Sequence, residues 1–335
     1  MKLLVTGGLG FIGSNFIRLV LRERPEWSVT NLDLVTYAGN PANLRDLDSD
    51  PRYCFVKGDI ADGVAVSKAI EGCDAVVNFA AESHVDRSIM SAAPFVRTNV
   101  TGTLVLLEAV REHGGRLVHV STDEVYGTLG PGDPPFTERT PLDPTSPYAA
   151  SKAAADLLVL AFAKTHGIDA VITRCCNNYG PYQFPEKLIP LMITNAIEGK
   201  RLPVYGDGRQ VRDWIHVEDH ASGVLAALER GRPGAVYNFG SRAERYNLDV
   251  VHRIVELVGA DPGLVEHVKD RPAHDRRYAI DPSLAERELG WRPARSFDEG
   301  LEQTVRWFQD NREWWSAVKD GSYQRFYQEW YGGRS

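Results

Sequence analysis

Apolar residues along this chain fall into short unbroken runs that alternate with longer segments of helical spacing. Lys2-Leu3-Leu4-Val5 is the first run, and it reads as a short buried strand. It leads straight into Thr6-Gly7-Gly8-Leu9-Gly10-Phe11-Ile12-Gly13, after which Phe16, Leu19 and Val20 mark one face of a helix. Further runs at 28–32, 53–56, 75–79, 116–120 and 169–173 predict strands, and segments such as 64–70, 93–112 and 148–165 predict the helices between them. Strand–helix alternation of this kind requires parallel pairing through crossovers, so the expected fold is α/β with a doubly wound parallel sheet.

The texture changes after residue 173. The stretch Arg174 to Pro185 is polar, aromatic and rich in helix breakers, as expected of a loop that lines a ligand site. Beyond it the pattern predicts helices at 188–198, 217–230, 248–258, 282–289 and 296–311, with strands at 202–205 and 235–239. These elements make a smaller mixed α/β carboxy-terminal lobe. The expected division is a cofactor domain over 1–176, to which part of 201–240 returns, and a substrate domain over 177–335.

Composition narrows the choice of ligand. The 335 residues are 43% apolar and 25% charged with a formal net charge of −7, which gives no reason to expect nucleic acid or an anionic membrane as partner. No apolar run approaches the length of about 18 residues that a membrane span needs. The amino terminus enters a strand without a signal-like segment, and a cytoplasmic location is expected. Cys54, Cys73, Cys175 and Cys176 show no metal-ligand spacing, so buried free thiols and no metal site are expected.

Two constellations carry chemistry. Gly7, Gly10 and Gly13 lie between a strand and a helix, where glycines permit a tight turn and a close approach of backbone amides to a pyrophosphate. Asp33 ends the next strand about twenty positions on, where an acid accepts hydrogen bonds from an adenosine ribose and repels a 2′-phosphate. A Rossmann-type site for NAD, and not NADP, follows. Asp59 is placed for the adenine end or for a helix cap, and the small Ala80 and Ala81 suit a close cofactor. The second constellation is Ser121-Thr122-Asp123-Glu124-Val125-Tyr126-Gly127 at a strand's carboxyl end, with Tyr148 and Lys152 four residues apart on one helix face.

A glycine-rich turn at the amino terminus and a Tyr-x-x-x-Lys pair after a strand-end hydroxyl resemble the extended short-chain dehydrogenase/reductase family. The segments 79–88, 121–127, 177–187 and 271–278 resemble its dTDP-glucose 4,6-dehydratase subgroup over almost the entire chain. Cys176 departs from the pattern, since the subgroup more often has serine before the paired asparagines. The resemblance implies a homodimer joined through the helices at 93–112 and 148–165. It also implies conversion of dTDP-glucose to dTDP-4-keto-6-deoxyglucose and water, with NAD oxidising carbon 4 and later reducing carbon 6.

Within that resemblance Tyr148 is the base at the sugar 4-hydroxyl, its pKa lowered by Lys152 together with the positive nicotinamide. Thr122 aligns the 4-oxygen, Glu124 removes the carbon 5 proton, and Asp123 protonates the departing 6-hydroxyl. Phe11, Ile12, Ile60, Ser83, Thr98 and Asn178 join the cofactor set. Arg212 and Arg271 compensate the substrate pyrophosphate, and Ser83, Asn177, Glu186, Lys187, Leu188, Pro203, Tyr205, Asn247 and His274 line the rest of the nucleotide-sugar pocket. His84 is expected to orient and not to act as a base. A UDP-hexose 4-epimerase shares the fold, NAD and the Tyr–Lys pair but has no use for Asp123 and Glu124. A non-catalytic NAD sensor need not retain Tyr148 or Lys152.

Overall fold

A computed structural model of the chain describes residues 1–270 and 275–319. Strands β1 (Lys2–Thr6), β2 (Ser28–Asp33), β3 (Tyr53–Lys57), β4 (Ala75–Asn78), β5 (Arg116–Thr122) and β6 (Asp169–Cys175) form a parallel sheet in the order β6-β5-β4-β1-β2-β3. Helices α1 (Phe11–Glu23) and α2 (Gly63–Ile70) cross between the first strands. Strand β1 shows why its sequence is apolar throughout. Leu3 and Val5 pack with Phe16, Ile17 and Val20 of α1 on one face, while Leu4 packs with Val66 and Ile70 of α2 on the other. Burial stabilises each such side chain by about 2 kcal/mol, so a polar residue at Leu4 would have no solvated face to turn to.

Val85–Met90 forms α3. The helix expected over 93–112 is not uniform: α4 (Ala93–Phe95) passes through a π turn at Val96–Gly102 into α5 (Thr103–His113). The widened turn has a cause in its side chains. Asn99 donates to the Glu82 carbonyl at 3.0 Å and to Ser151 Oγ at 2.8 Å, and accepts from Glu82 N–H at 2.9 Å. A π turn is a frequent device for aiming one residue at a functional site, and here it ties the loop after β4 to α6 (Pro147–His166), the helix that bears Tyr148 and Lys152.

The second lobe holds strands missed by pattern reading, β7 (Asn177–Tyr179) and β9 (Val211–His216) among them, because they are short or lie within polar sequence. Strand β8 is Leu202–Tyr205. Helices α7 (Leu188–Ile197), α9 (Asn247–Val258) and α11 (Phe297–Asp310) pack through Ile193, Ile254, Leu301 and Phe308. Between α7 and α9 the chain returns to the sheet. Helix α8 (Val217–Arg230) lays Val224 and Leu228 against the α1 cluster, and β10 (Val236–Phe239) pairs with β6 as a seventh parallel strand. The expected burial of all four cysteines is corrected: Cys54 is exposed and Cys73 half-buried, whereas Cys175 and Cys176 are buried. Cys54 sits on β3, whose outer side has no neighbouring strand among the described residues.

Candidate active site

Strand order reverses between β1 and β4, and the loops leaving their carboxyl ends diverge there to open a cleft of about 340 Å³. One wall is backbone. Gly7 has φ +70°, and a Cβ built on it would lie 2.6 Å from the backbone of Ala80. A Cβ on Gly13 would lie 2.4 Å from the Gly7 carbonyl, so α1 can start this close to β1 only with glycine there. Gly10 caps α1 without a side-chain hydrogen bond, and no acid occupies the first helical turn. The first-turn amides and the positive end of the helix are left to an anion. Asp33 accepts from Leu9 N–H at 2.9 Å and Val35 N–H at 2.8 Å, which fixes its carboxyl at the cleft edge. Each oxygen keeps a lone pair for a ribose hydroxyl. These features fit a dinucleotide.

The other wall is ionisable. Thr122 ends β5, and its hydroxyl caps the short turn Asp123–Tyr126 by accepting from Glu124 N–H at 3.3 Å. Asp123 is buried and one carboxyl oxygen, Oδ2, has no hydrogen-bond partner among the described residues. Burial, then the neighbouring Glu124 and Asp213, push its carboxyl well above the usual range against the pull of Arg212. A carboxyl pushed toward its protonated form beside a second carboxyl is the arrangement that separates an acid from a base. Tyr148 is buried against Phe95 and Val85. Burial and the Glu124 charge raise its phenol well above 10, with the Thr122 hydroxyl opposing. In the chain by itself no lowering by Lys152 offsets these two; the expected lowering joins Lys152 with the positive nicotinamide. The Lys152 amine donates to the Val120 carbonyl at 2.8 Å and, buried itself, falls to about 8.

Every residue proposed for the cofactor lines this one cleft: Gly7, Gly10, Phe11, Ile12, Gly13, Asp33, Asp59, Ile60, Ala80, Ala81, Ser83, Thr98, Tyr148, Lys152 and Asn178. Asp59 also pairs with Arg97 at 2.6 Å and caps the turn at Ala61. Of the substrate set, Ser83, Thr122, Asn177, Glu186, Lys187 and Leu188 line the cleft, whereas Pro203, Tyr205, Arg212 and Asn247 do not. Arg271 and His274 lie outside the described residues. Arg212 is held by the Val211 and Asp275 carbonyls and stacks over Tyr278 at 4.3 Å. Pro203 and Tyr205 are on β8, and Tyr205 reaches Asp86 at 3.4 Å.

Also lining the cleft, Glu186 is pushed up to about 7, chiefly by burial, with Arg87 at 3.5 Å and His84 at 3.7 Å. His84 thus faces a carboxyl. Gln183 and Phe184, in the loop expected to line a ligand site, do line the cleft, whereas sequence reasoning gave no such role to Glu82 or Trp214. Glu82 lies within the segment 79–88 already singled out; Trp214 comes from β9, which carried no strand signal. Among the described residues no cluster could hold a metal ion, and no helix is long and apolar enough to cross a membrane.

Residues 4–304 match the family model described as GDP-mannose 4,6 dehydratase. A curated dTDP-glucose 4,6-dehydratase from Streptomyces niveus is 52% identical over 95% of this chain and 96% of the relative. The crystal structure of a dTDP-glucose 4,6-dehydratase from Streptomyces venezuelae with NAD bound superposes with a TM-score of 0.93 at 52% identity, covering 95% of this chain and all of that one. A UDP-glucose 4-epimerase from Thermotoga maritima is also similar, with TM-score 0.86, 28% identity and coverage of 93% of this chain and 100% of that one.

Proposed function

The chain belongs to the family of nucleotide-sugar 4,6-dehydratases that this model and these relatives define, and from that premise we propose that it converts dTDP-glucose to dTDP-4-keto-6-deoxyglucose and water. The observation that carries this reading is the pair Asp123 and Glu124 at the end of β5, beside Tyr148, with the Asp123 carboxyl buried and pushed toward its protonated form. Epimerisation at carbon 4 needs no such pair.

The enzyme is NAD-dependent; bound at the glycine wall, NAD⁺ supplies a hydride acceptor for carbon 4 and returns the hydride to carbon 6. Tyr148 receives the proton of the 4-hydroxyl, and Thr122 orients that oxygen. Because burial and Glu124 hold the phenol high in this structure, its ionisation depends on positive charge brought next to it, including that of Lys152 as an ammonium. Glu124 then takes the carbon 5 proton, which the 4-ketone makes acidic. Asp123 gives its proton to the 6-hydroxyl, which leaves as water. The resulting double bond accepts hydride at carbon 6 and a proton at carbon 5, so no external reductant is consumed. Residues 1–176, with the returning part of 201–240, serve the cofactor, and 177–335 serve the nucleotide sugar.

We further propose a cytoplasmic homodimer joined through 93–112 and 148–165. Met90, Val96 and Leu157 support it, being 58%, 52% and 58% exposed on α3, the π turn and α6. The activity is tested by incubating the protein with dTDP-glucose and UDP-glucose separately and following a 4-keto-6-deoxy product. Product from dTDP-glucose is expected; a carbon 4 epimer still bearing its 6-hydroxyl, or no product, would overturn the reading.

A further inference from the structure

Beneath the catalytic wall lies a layer of buried polar groups that none of the roles above uses. His119 on β5 is fully enclosed. Its Nε2 is 3.4 Å from Lys152 Nζ and 3.7 Å from Asp156 Oδ1, an oxygen buried without a hydrogen-bond partner among the described residues. Its Nδ1 is 3.2 Å from Asn78 Nδ2. The orientation of Asn78 follows from Thr6. The Thr6 hydroxyl accepts from Ala80 N–H at 3.5 Å and donates to Asn78 Oδ1 at 2.6 Å, so the Asn78 amide is the donor to Nδ1. The proton of a neutral imidazole then sits on Nε2.

An N–H on Nε2 has two acceptors in reach. One is the lone pair of Lys152 as a free amine, and the other is Asp156 Oδ1. When Lys152 is an ammonium it offers no lone pair, and only the Asp156 oxygen remains. We propose that His119 is a positioning residue for Lys152: its Nε2–H donates to Lys152 as a free amine, and when Lys152 is an ammonium it turns to Asp156, the carboxyl that faces that ammonium. The groups facing Lys152 are consistent with such a change. Tyr148 and Asp156 lie on its own helix, His119 and the Val120 carbonyl on β5, and Cys175 on β6; Arg174, also on β6, offsets Asp156 by donating to it at 2.8 Å. Burial with Lys152 and Arg174 keeps the imidazole neutral.

This inference rests on Tyr148 and Lys152 being the proton-transfer pair. Asn at position 119 offers a group at the Nδ1 side, and Gln offers one at the Nε2 side, so the two variants separate the Lys152 contact from the Asn78 contact. In the NAD-loaded enzyme with dTDP-glucose, His119→Asn is expected to lower kcat about 30-fold with KM within about threefold, a loss typical of a displaced reacting group. His119→Gln is expected to recover to within about fivefold of the parent. An N–H aimed at Lys152 favours the free amine, so its loss in His119→Asn moves the alkaline limb of the pH profile upward. Lys152 Nζ titration by nitrogen NMR should shift the same way whether or not the protein turns over this sugar. Equal losses in both variants with an unmoved Lys152 titration would overturn the proposal. Should His119→Asn fail to fold, Asp156→Asn removes the charge that favours the ammonium, and the Lys152 titration must move to lower pH; an unmoved one sinks the idea. Failure of the parent enzyme to turn over dTDP-glucose would instead count against the functional reading.

Discussion

On the β1 side of the cleft the walls are backbone and small residues, Gly7, Gly10, Gly13 and Ala80, whereas on the β5–β6 side they are Asp123, Tyr148, Lys152 and Cys175, all buried. The first wall is defined by shape, because its function is to let a helix and a loop approach one another and a dinucleotide. The second is defined by proton affinity, because the roles proposed for Asp123, Tyr148 and Lys152 are proton exchanges with a sugar that passes through several charge states. The two walls should therefore fail to opposite substitutions. Isosteric changes that keep every atom in place should silence the ionisable wall and leave the fold intact. A single added methyl should damage the glycine wall while leaving every charge unchanged.

The largest effect is expected at the ionisable wall. In Asp123→Asn with Glu124→Gln, neither proton transfer of the elimination has its donor or acceptor, and release of the 6-deoxy product should fall about 10³-fold. Tyr148, Lys152 and Thr122 remain, so adding dTDP-glucose should still reduce bound NAD⁺, read as absorbance of the reduced nicotinamide. Undiminished product release would remove both carboxylates from the mechanism. Loss of nicotinamide reduction as well would mean that the pair also serves oxidation at carbon 4.

At the glycine wall the expected loss is of stability and cofactor together. A Cβ on Gly13 meets the Gly7 carbonyl at 2.4 Å, with the Gly8 Cα at 2.9 Å, and both neighbours are backbone. Gly13→Ala should cost about 3 kcal/mol by overpacking and strip NAD. A Cβ on Gly10 has one neighbour, the same carbonyl at 3.2 Å, so Gly10→Ala should cost only about 1 kcal/mol, the scale on which alanine is disfavoured at a helix N-cap. Thermal melts of the two variants, with and without NAD, measure the contrast. Equal melting temperatures would show that α1 can shift to absorb the methyl.

These two walls were unequally legible in the sequence. The glycine wall could be read because its residues are consecutive and their spacing is dictated by one turn. Asp33 was readable for the same reason, one strand later. The front of the ionisable wall, Thr122 to Glu124 with Tyr148 and Lys152, was also local. What lay behind it was not. His119, Asp156 and Arg174 come from β5, α6 and β6 and meet only because those elements pack together. Each sits among apolar neighbours where no period marks it. The π turn at 96–102 was hidden likewise, since its apolar spacing is that of an ordinary helix until Asn99 finds Glu82 and Ser151. Arg212 illustrates the converse. Its identity was readable, but its placement off the cleft lining depends on β9 and the Asp275 carbonyl.

The smallest expected effect runs opposite to the first and tests whether the ionisable wall is maintained at a cost to the fold. The carboxyl of Asp123 is pushed above its usual 3.8 by burial and by Glu124 and Asp213. A carboxyl with a raised folded-state pKa binds its proton more tightly in the native protein than in the unfolded chain, so stability falls as pH rises through 3.8 toward the folded value. Below 3.8 the group is neutral in both states and costs nothing by this route. Asp123→Asn replaces it with a neutral group of the same shape that has no proton to lose. The variant should therefore match the parent near pH 4 and exceed it by about 1 kcal/mol at pH 8, the scale commonly gained when a strained functional residue is relieved. Urea titrations at the two pH values measure the difference. A variant less stable than the parent at pH 8 would mean that the ionised Asp123 is stabilised where it stands, and the acid role proposed for it would have to pass to another group.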